Sequence, residues 1–303
     1  MEVLQFLQRI RIPVLNEFML LITEFGGELA FLATAIIIFW CVDKRQGYYI
    51  MCVGFAGTII SQFMKLWFRI PRPWVSDPDI AMEAAVGDAG GYSFPSGHSQ
   101  TSVGTFGGLA LTTKNKLIRY ICVAIAVLVP FSRMYVGVHT PLDVGVGALI
   151  SLVLIFAARP IVYSDKKYAM PILIGFLAAL TIAYLFFVFT FPFPADVDAY
   201  NLTHGRENAC TMAGCILGMI VVYFIDKKWL QFPTKAVWWA QIVKVAVGLG
   251  LVLAVKSGMK GILNHIFGDM AGRAVRYFLI VLVAGILWPM TFRFFERIGN
   301  SNK

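Results

Sequence analysis

Three short stretches of this chain carry the residue types that phosphate chemistry requires. The first is Lys65-Leu-Trp-Phe-Arg69-Ile-Pro71-Arg72-Pro73, the second Pro95-Ser96-Gly97-His98, and the third runs from Ser132-Arg133 to His139-Thr140-Pro141-Leu142-Asp143. Among these residues Lys65, Arg72 and Arg133, the histidines His98 and His139, Ser96, Gly97 and Asp143 supply cations, imidazoles, a hydroxyl, a glycine and a carboxylate, all beside apolar runs. Such a set can hold a phosphate monoester, attack its phosphorus and protonate the departing oxygen without a metal. Arg offers planar, bidentate hydrogen bonding to phosphate oxygens, and Lys a compact point charge.

The local context of each stretch favours a site. Pro71 and Pro73 stop the helix that Lys65 ends, which leaves Lys65 and Arg72 at the membrane surface, close enough to converge on one anion. Arg69 shares this stripe, and ordinary interfacial snorkelling is its reading ahead of ligand contact. Pro95 suits the first turn of a helix, Gly97 lets the backbone approach an anion, and the helix start offers free N–H groups and positive dipole. Ser96 adds a hydroxyl, and His98, just after this turn, reads as an acid–base group. In the third stretch Thr140 suits an N-cap, Pro141 the first helical position and Asp143 the third. Asp143 has two readings: a cap that bonds back to the helix start, or the acceptor for one imidazole nitrogen of His139, which frees the other to attack. Arg133 can complete a phosphate clamp; Ser132 receives no role.

Long apolar helices must position these residues. The chain is 58% hydrophobic and 14% charged, and apolar runs of spanning length recur throughout. The pattern predicts an all-α, polytopic transmembrane bundle with spans near 26–42, 47–66, 97–113, 118–135, 142–158, 170–190, 209–225, 237–256 and 276–293. Residues 1–25 mix charges with apolar residues at helical spacing (Leu4, Leu7; Val14, Phe18, Leu21, Ile22), which predicts an amphipathic helix in the membrane interface and not a cleavable signal peptide. Residues 26–160 form the motif-bearing core, and 161–303 add further spans without motifs.

The net charge of +9 comes from short basic clusters between apolar runs, as anchoring against anionic lipid would produce, so nucleic acid is not an expected partner. Once Lys65, Arg72 and Arg133 are set aside, Lys and Arg are more frequent on the face holding Lys44, Lys114, Lys166, Lys227 and Arg293. The positive-inside rule makes that face cytoplasmic and puts all three motifs on the extracytoplasmic side.

The order and spacing of the motifs resemble the signature of the type 2 phosphatidic acid phosphatase superfamily, which includes membrane lipid phosphatases and soluble vanadium haloperoxidases. The resemblance covers about residues 26–160. It implies that His139 is a nucleophile forming a phosphohistidine, that Asp143 is its partner, and that His98 protonates the leaving alkoxide and then activates water. It also implies that Lys65, Arg72, Ser96, Gly97 and Arg133 bind the phosphate and its pentacoordinate transition state. No cofactor and no metal are expected, since cations and a helix end supply the charge stabilisation on which phosphoryl transfer depends. The expected substrate is a lipid phosphate, monoester or diphosphate, drawn from the bilayer. A phosphotransferase resolving the same intermediate with an acceptor alcohol is the nearest rival. A lipid transporter is a remoter one, having no need of both histidines and Asp143.

Other features carry plainer readings. Asp77, Asp79 and Asp88 match no calcium-loop spacing. The polar loop 74–94 reads as an exposed connection, with a lid over the site as the alternative. The glycine pairs Gly104/Gly108 and Gly214/Gly218 suit close helix packing. The five cysteines read as buried thiols. Lys244 lies within a span and must face protein or snorkel. Asn201-Leu202-Thr203 forms a glycosylation sequon in an expected outer loop.

Overall fold

The computed structural model describes residues 1–87 and 89–300, with side chains described through Ile298; Asp88, one of the loop carboxylates named above, lies outside the described residues. The described chain is helical and has no strand. In order, the principal helices are α1 (Glu2–Arg9), α2 (Pro13–Glu24), α3 (Glu28–Cys41), α4 (Lys44–Phe68) and α5, which begins as Gly97–Ser102 and passes through a π-helical turn (Val103–Gly107) into Gly108–Thr112. Then follow α6 (Lys116–Tyr135), α7 (Pro141–Val162), α8 (Ala169–Thr190), α9 (Ala199–Ile225), α10 (Trp238–Gly258), α11 (Lys260–Leu282) and α12 (Phe292–Asn300).

Seven described helices are long and apolar enough to cross a membrane. The α2–α3 pair, bent by 52°, makes eight if it counts as one crossing. The difference from the nine expected spans is α5. Its sequence is rich in Ser, Thr and Gly, it is interrupted by the π turn, and most of its side chains are buried in protein and need no lipid-facing length. Residues 1–25 form not one helix but two, parted at Ile10–Ile12; α1 buries Leu4 and Leu7, and α2 joins the bent pair.

The chain divides into two compact units. The first comprises Met1–Leu32, Tyr49–Ser164 and Pro192–Gly205. Within it, Leu7 of α1 and Met19 of α2 share a core with Tyr135, Val136 and Val138 at the end of α6, and with Ala85 and Ala89 from the 74–94 loop. That loop contains short helical turns that bury Ile80 and Ala85 and leave Val75 exposed. Arg11 ties the arrangement together by donating to the carbonyls of Ile80 (2.7 Å) and Tyr135 (2.7 Å). Glycine permits the closest approaches. A Cβ on Gly137, whose φ is +81°, would lie 2.0 Å from the Ile80 carbonyl oxygen, and one on Gly147 would lie 2.5 Å from that of Ser96.

The second unit comprises Ala33–Tyr48, Asp165–Phe191 and the chain from Arg206 onward. Here α9 and α11 touch along Gly214 and Gly218, where added Cβ atoms would meet Ala274 O at 2.1 Å and Val281 Cβ at 2.7 Å, so the glycine pair is a packing device. Lys244 is wholly buried and faces protein: its ammonium donates to the carbonyls of Trp40 (3.0 Å) and Thr234 (3.2 Å) and sits 4.1 Å above the Phe292 ring. Carbonyl dipoles and a π face replace water for this charge, so Lys244 pins α10 in place. Lys44 is held by Asp226 at 2.8 Å. The cysteines are all free thiols, four of them buried.

Candidate active site

Two helix starts and two helix ends, all within the first unit, position the motif residues. Helix α4 ends with Arg69 in the left-handed conformation (φ 50°), its N–H returning to the Lys65 carbonyl. A non-glycine residue there costs about 1 kcal/mol, repaid by turning the chain before Pro71. Arg69 thus serves the turn, and its guanidinium reaches toward the Leu66 carbonyl at 3.5 Å. Helix α5 starts at Gly97 with Ser96 as N-cap, the Ser96 hydroxyl accepting from Ser99 N (3.3 Å) and Ser99 Oγ (2.9 Å). A Cβ on Gly97 would meet nothing within 4 Å, so the space beside this turn is open to a ligand. Ser96 N donates to the Asp143 carbonyl at 2.9 Å, which joins the second motif to the third.

Helix α7 begins with a capping box. Thr140 Oγ1 accepts from Asp143 N, and Asp143 Oδ2 accepts from Thr140 N at 2.7 Å. Such a cap contributes about 1 kcal/mol. The same oxygen lies 3.7 Å from His139 Nδ1, beyond direct hydrogen-bond length. The capping role of Asp143 is therefore present, whereas the direct bond to His139 is not made and a third residue lies beside both groups. Ser93 Oγ donates to Asp143 Oδ2 at 2.7 Å and lies 3.4 Å from His139 Nδ1.

The tautomer of His139 follows from Arg72. A guanidinium can only donate, and Arg72 Nη1 is 2.8 Å from His139 Nε2, so Nε2 accepts and the ring proton sits on Nδ1, facing Ser93 and Asp143. Arg72 spends its other donors on backbone carbonyls: Nε to Gly91 (3.0 Å), Nη2 to Gly90 (2.7 Å) and Nη1 also to Val138 (3.1 Å). Lys65 Nζ donates to the Tyr92 carbonyl. Arg133 Nη1 donates to Thr23 Oγ1 at 2.9 Å.

Lys65, Arg72, Ser93, Ser96, Arg133, His139 and Asp143 are all buried, whereas His98 at the first turn of α5 remains partly exposed. Burial drives the His139 pKa well below the ordinary histidine value, and the charges of Arg72, Lys65 and Arg133, with His98, push it the same way. Burial and its neighbours thus favour the neutral ring of His139, with Nε2 as acceptor, beside the Lys65, Arg72 and Arg133 side chains and the Asp143 carboxyl group. Such a cluster carries excess positive charge, which an anion of phosphate type would neutralise.

The structure thus gathers Lys65, Arg72, Ser96, Gly97, His98, Arg133, His139 and Asp143 from three separate stretches. Sequence reasoning missed Ser93 and Thr23. Ser93 sits two residues before Pro95, but nothing local shows that it faces a carboxylate 50 positions away. Thr23 lies 110 positions from Arg133, with no motif around it.

The family model of the PAP2 superfamily matches residues 46–167, and that of the PAP2 superfamily phosphatase transmembrane extension matches 210–300. The chain is 31% identical to phosphatidylglycerophosphatase B of Bacillus subtilis over 172 residues, covering 52% of this chain and 81% of that protein. It is 31% identical to undecaprenyl-diphosphatase BcrC of B. subtilis over 144 residues, 47% of this chain and 72% of that one. It is 27% identical to mouse sphingosine-1-phosphate phosphatase 1 over 256 residues, 79% of this chain but 58% of the mouse protein's length. No solved structure matches. With the motif cluster inside the first matched stretch, and α10, α11 and α9 from residue 210 inside the second, this integral membrane protein belongs to the PAP2 superfamily.

Proposed function

We propose that this protein is a metal-independent lipid phosphate phosphatase acting through a phosphohistidine. The observation that carries this reading is the 2.8 Å approach of Arg72 Nη1 to His139 Nε2 among the buried Lys65, Arg72 and Arg133 side chains. Phosphate oxygens entering the site take over the Arg72 donor now spent on Nε2 and leave its lone pair aimed at phosphorus. Burial and the charges of Arg133, Arg72 and Lys65 push the His98 pKa down, and the incoming anion offsets those charges so that His98 takes up a proton. Nε2 attacks, the P–O bond to the lipid breaks, and His98 gives that proton to the departing alkoxide. The imidazolium that forms is stabilised through Nδ1–H by the Ser93–Asp143 pair. Water then attacks the phosphohistidine, His98 takes its proton, the P–N bond breaks and inorganic phosphate leaves. Lys65, Arg72, Arg133 and the free N–H groups at the start of α5 hold the charge that spreads over the equatorial oxygens.

The relatives act, by their names, on a sphingoid base phosphate, an undecaprenyl diphosphate and a phosphatidylglycerol phosphate, all phosphorylated lipids. In this reading the substrate keeps its tails in the bilayer and presents its headgroup to the clamp from the extracytoplasmic leaflet. The test is phosphate release by purified protein from a panel of these lipid phosphates, with an acid-labile phosphoenzyme trapped on rapid quenching. Release without any such intermediate would sink the covalent mechanism. Phosphate appearing on an added alcohol in place of water would make the protein a phosphotransferase.

A further inference from the structure

Residues 192–205 lie between the two stretches that the family models match, yet they belong to the compact unit that holds the clamp. The apolar pattern predicts a span beginning at 209, but α9 starts at Ala199, with the Asp198 carboxylate accepting from Asn201 N at 2.7 Å. The added first turns carry the sequon Asn201; with Asp198 just before them they bring two features to one short loop, Gly90-Gly91-Tyr92, and a third to the end of α4. Asp198 N donates to the Tyr92 hydroxyl at 3.2 Å. The His204 ring covers the Gly90–Gly91 peptide: a Cβ on Gly90 would lie 3.3 Å from His204 Nε2, and one on Gly91 3.6 Å from Nδ1. Gly205 lets α9 lie against Leu66, the neighbour of Lys65, since a Cβ there would fall 2.5 Å from Leu66 Cδ1.

The loop so gripped is the one whose carbonyls aim the clamp. Gly90 and Gly91 accept two of the three Arg72 nitrogens, and Tyr92 accepts from Lys65. Gly91 has φ +75° and Gly90 has no side chain, so the loop has little stiffness of its own. We propose that His204 is a positioning residue for the phosphate clamp. Its ring, seconded by the Tyr92–Asp198 hydrogen bond, presses the Gly90–Gly91 peptide into the place from which its carbonyls orient Arg72 and Lys65. A loosened loop would let the guanidinium fork swing, which costs phosphate affinity before it costs chemistry. The inference rests on the proposed function only for the identity of the anion.

The experiment measures orthovanadate binding to the detergent-solubilised full chain by titration calorimetry, with kcat and KM for lipid phosphate hydrolysis measured beside it. His204→Ala should weaken vanadate binding by about tenfold and raise KM more than it lowers kcat. His204→Phe, which keeps a flat ring over the peptide, should stay within about threefold of the unmodified protein. Tyr92→Phe should weaken binding in the same direction and carries the test if His204→Ala does not fold. Unchanged vanadate affinity in His204→Ala, or in Tyr92→Phe where that variant stands in, would overturn the inference. So would a His204→Phe variant as weak as His204→Ala. Unmodified protein that binds vanadate but releases no phosphate from any lipid would defeat the phosphatase reading and leave the role of His204 standing.

Discussion

At the scale of single residues, the site is organised around which nitrogen of His139 lacks a proton. Arg72 occupies Nε2 and the Ser93–Asp143 pair faces Nδ1, so the two ring nitrogens have different tasks. His139→Ala should abolish phosphate release while leaving the thermal unfolding transition in place; near-normal turnover would end the mechanism. His98→Ala should be severely impaired, yet still form phosphoenzyme from a substrate with an activated leaving group, because such a group departs without an acid. Ser93→Ala should lower kcat by about tenfold or more. Its effect should not add to that of Asp143→Asn, since both act through one hydrogen-bonded chain. Additive losses in that double-mutant cycle would mean that Ser93 and Asp143 serve His139 separately.

At the scale of elements, residues outside the motifs hold them in register. Thr23, in α2, accepts from Arg133, in α6, and both are buried. Thr23→Val keeps the shape and removes the oxygen, so Arg133 loses one partner in a dry setting. The variant should show weaker vanadate inhibition and a raised KM, and Thr23→Ser should restore both. If Thr23→Ser fails as Thr23→Val does, shape and not the hydrogen bond is what matters. Gly137 turns the chain between α6 and His139 at φ +81°, against the Ile80 carbonyl. Gly137→Ala brings a steric clash and a left-handed alanine, and should cost about 2 kcal/mol or more of stability, seen as a lower midpoint in detergent.

At the scale of the whole molecule, the proposed chemistry uses fixed cations in place of a metal. Activity should therefore survive excess EDTA and fall with micromolar to millimolar vanadate. Activity lost on chelation and restored by magnesium would refute that. Sidedness is tested by labelling. In a background without native cysteines, a cysteine in the 76–90 loop should react with an impermeant maleimide on intact cells. One near Lys114, beyond the far end of α5, should react only after permeabilisation. The reverse pattern would place the site toward the cytoplasmic leaflet and undo the argument from basic loops.

The sequence alone determined the features whose physics is local. Thr140, Pro141 and Asp143 are a helix start wherever they occur, and their capping box is present. Apolar runs such as 170–190 and 237–256 have no option but to be buried in protein or lipid, and α8 and α10 match them closely. The candidate clamp residues stand out because phosphate chemistry demands particular residue types at fixed spacing, and the fold brings them together. Tertiary structure decided what depends on distant partners. Asp143 lies too far from His139 for a direct bond, and only the fold brings Ser93 between them. Arg69 reads as an interfacial cation outside the signature, and only the fold shows that its backbone is the left-handed end of α4. The run 97–113 is a helix from Gly97 to Thr112, as expected, but hydropathy could not show the π-helical turn inside it or how much of its surface is sheathed by protein. The turns of α9 that reach the Gly90–Gly91 loop are too polar to register as part of a span, and only packing reveals what they hold. Local patterns report on torsions, caps and solvation, whereas contacts between residues a hundred positions apart exist only once the helices have packed.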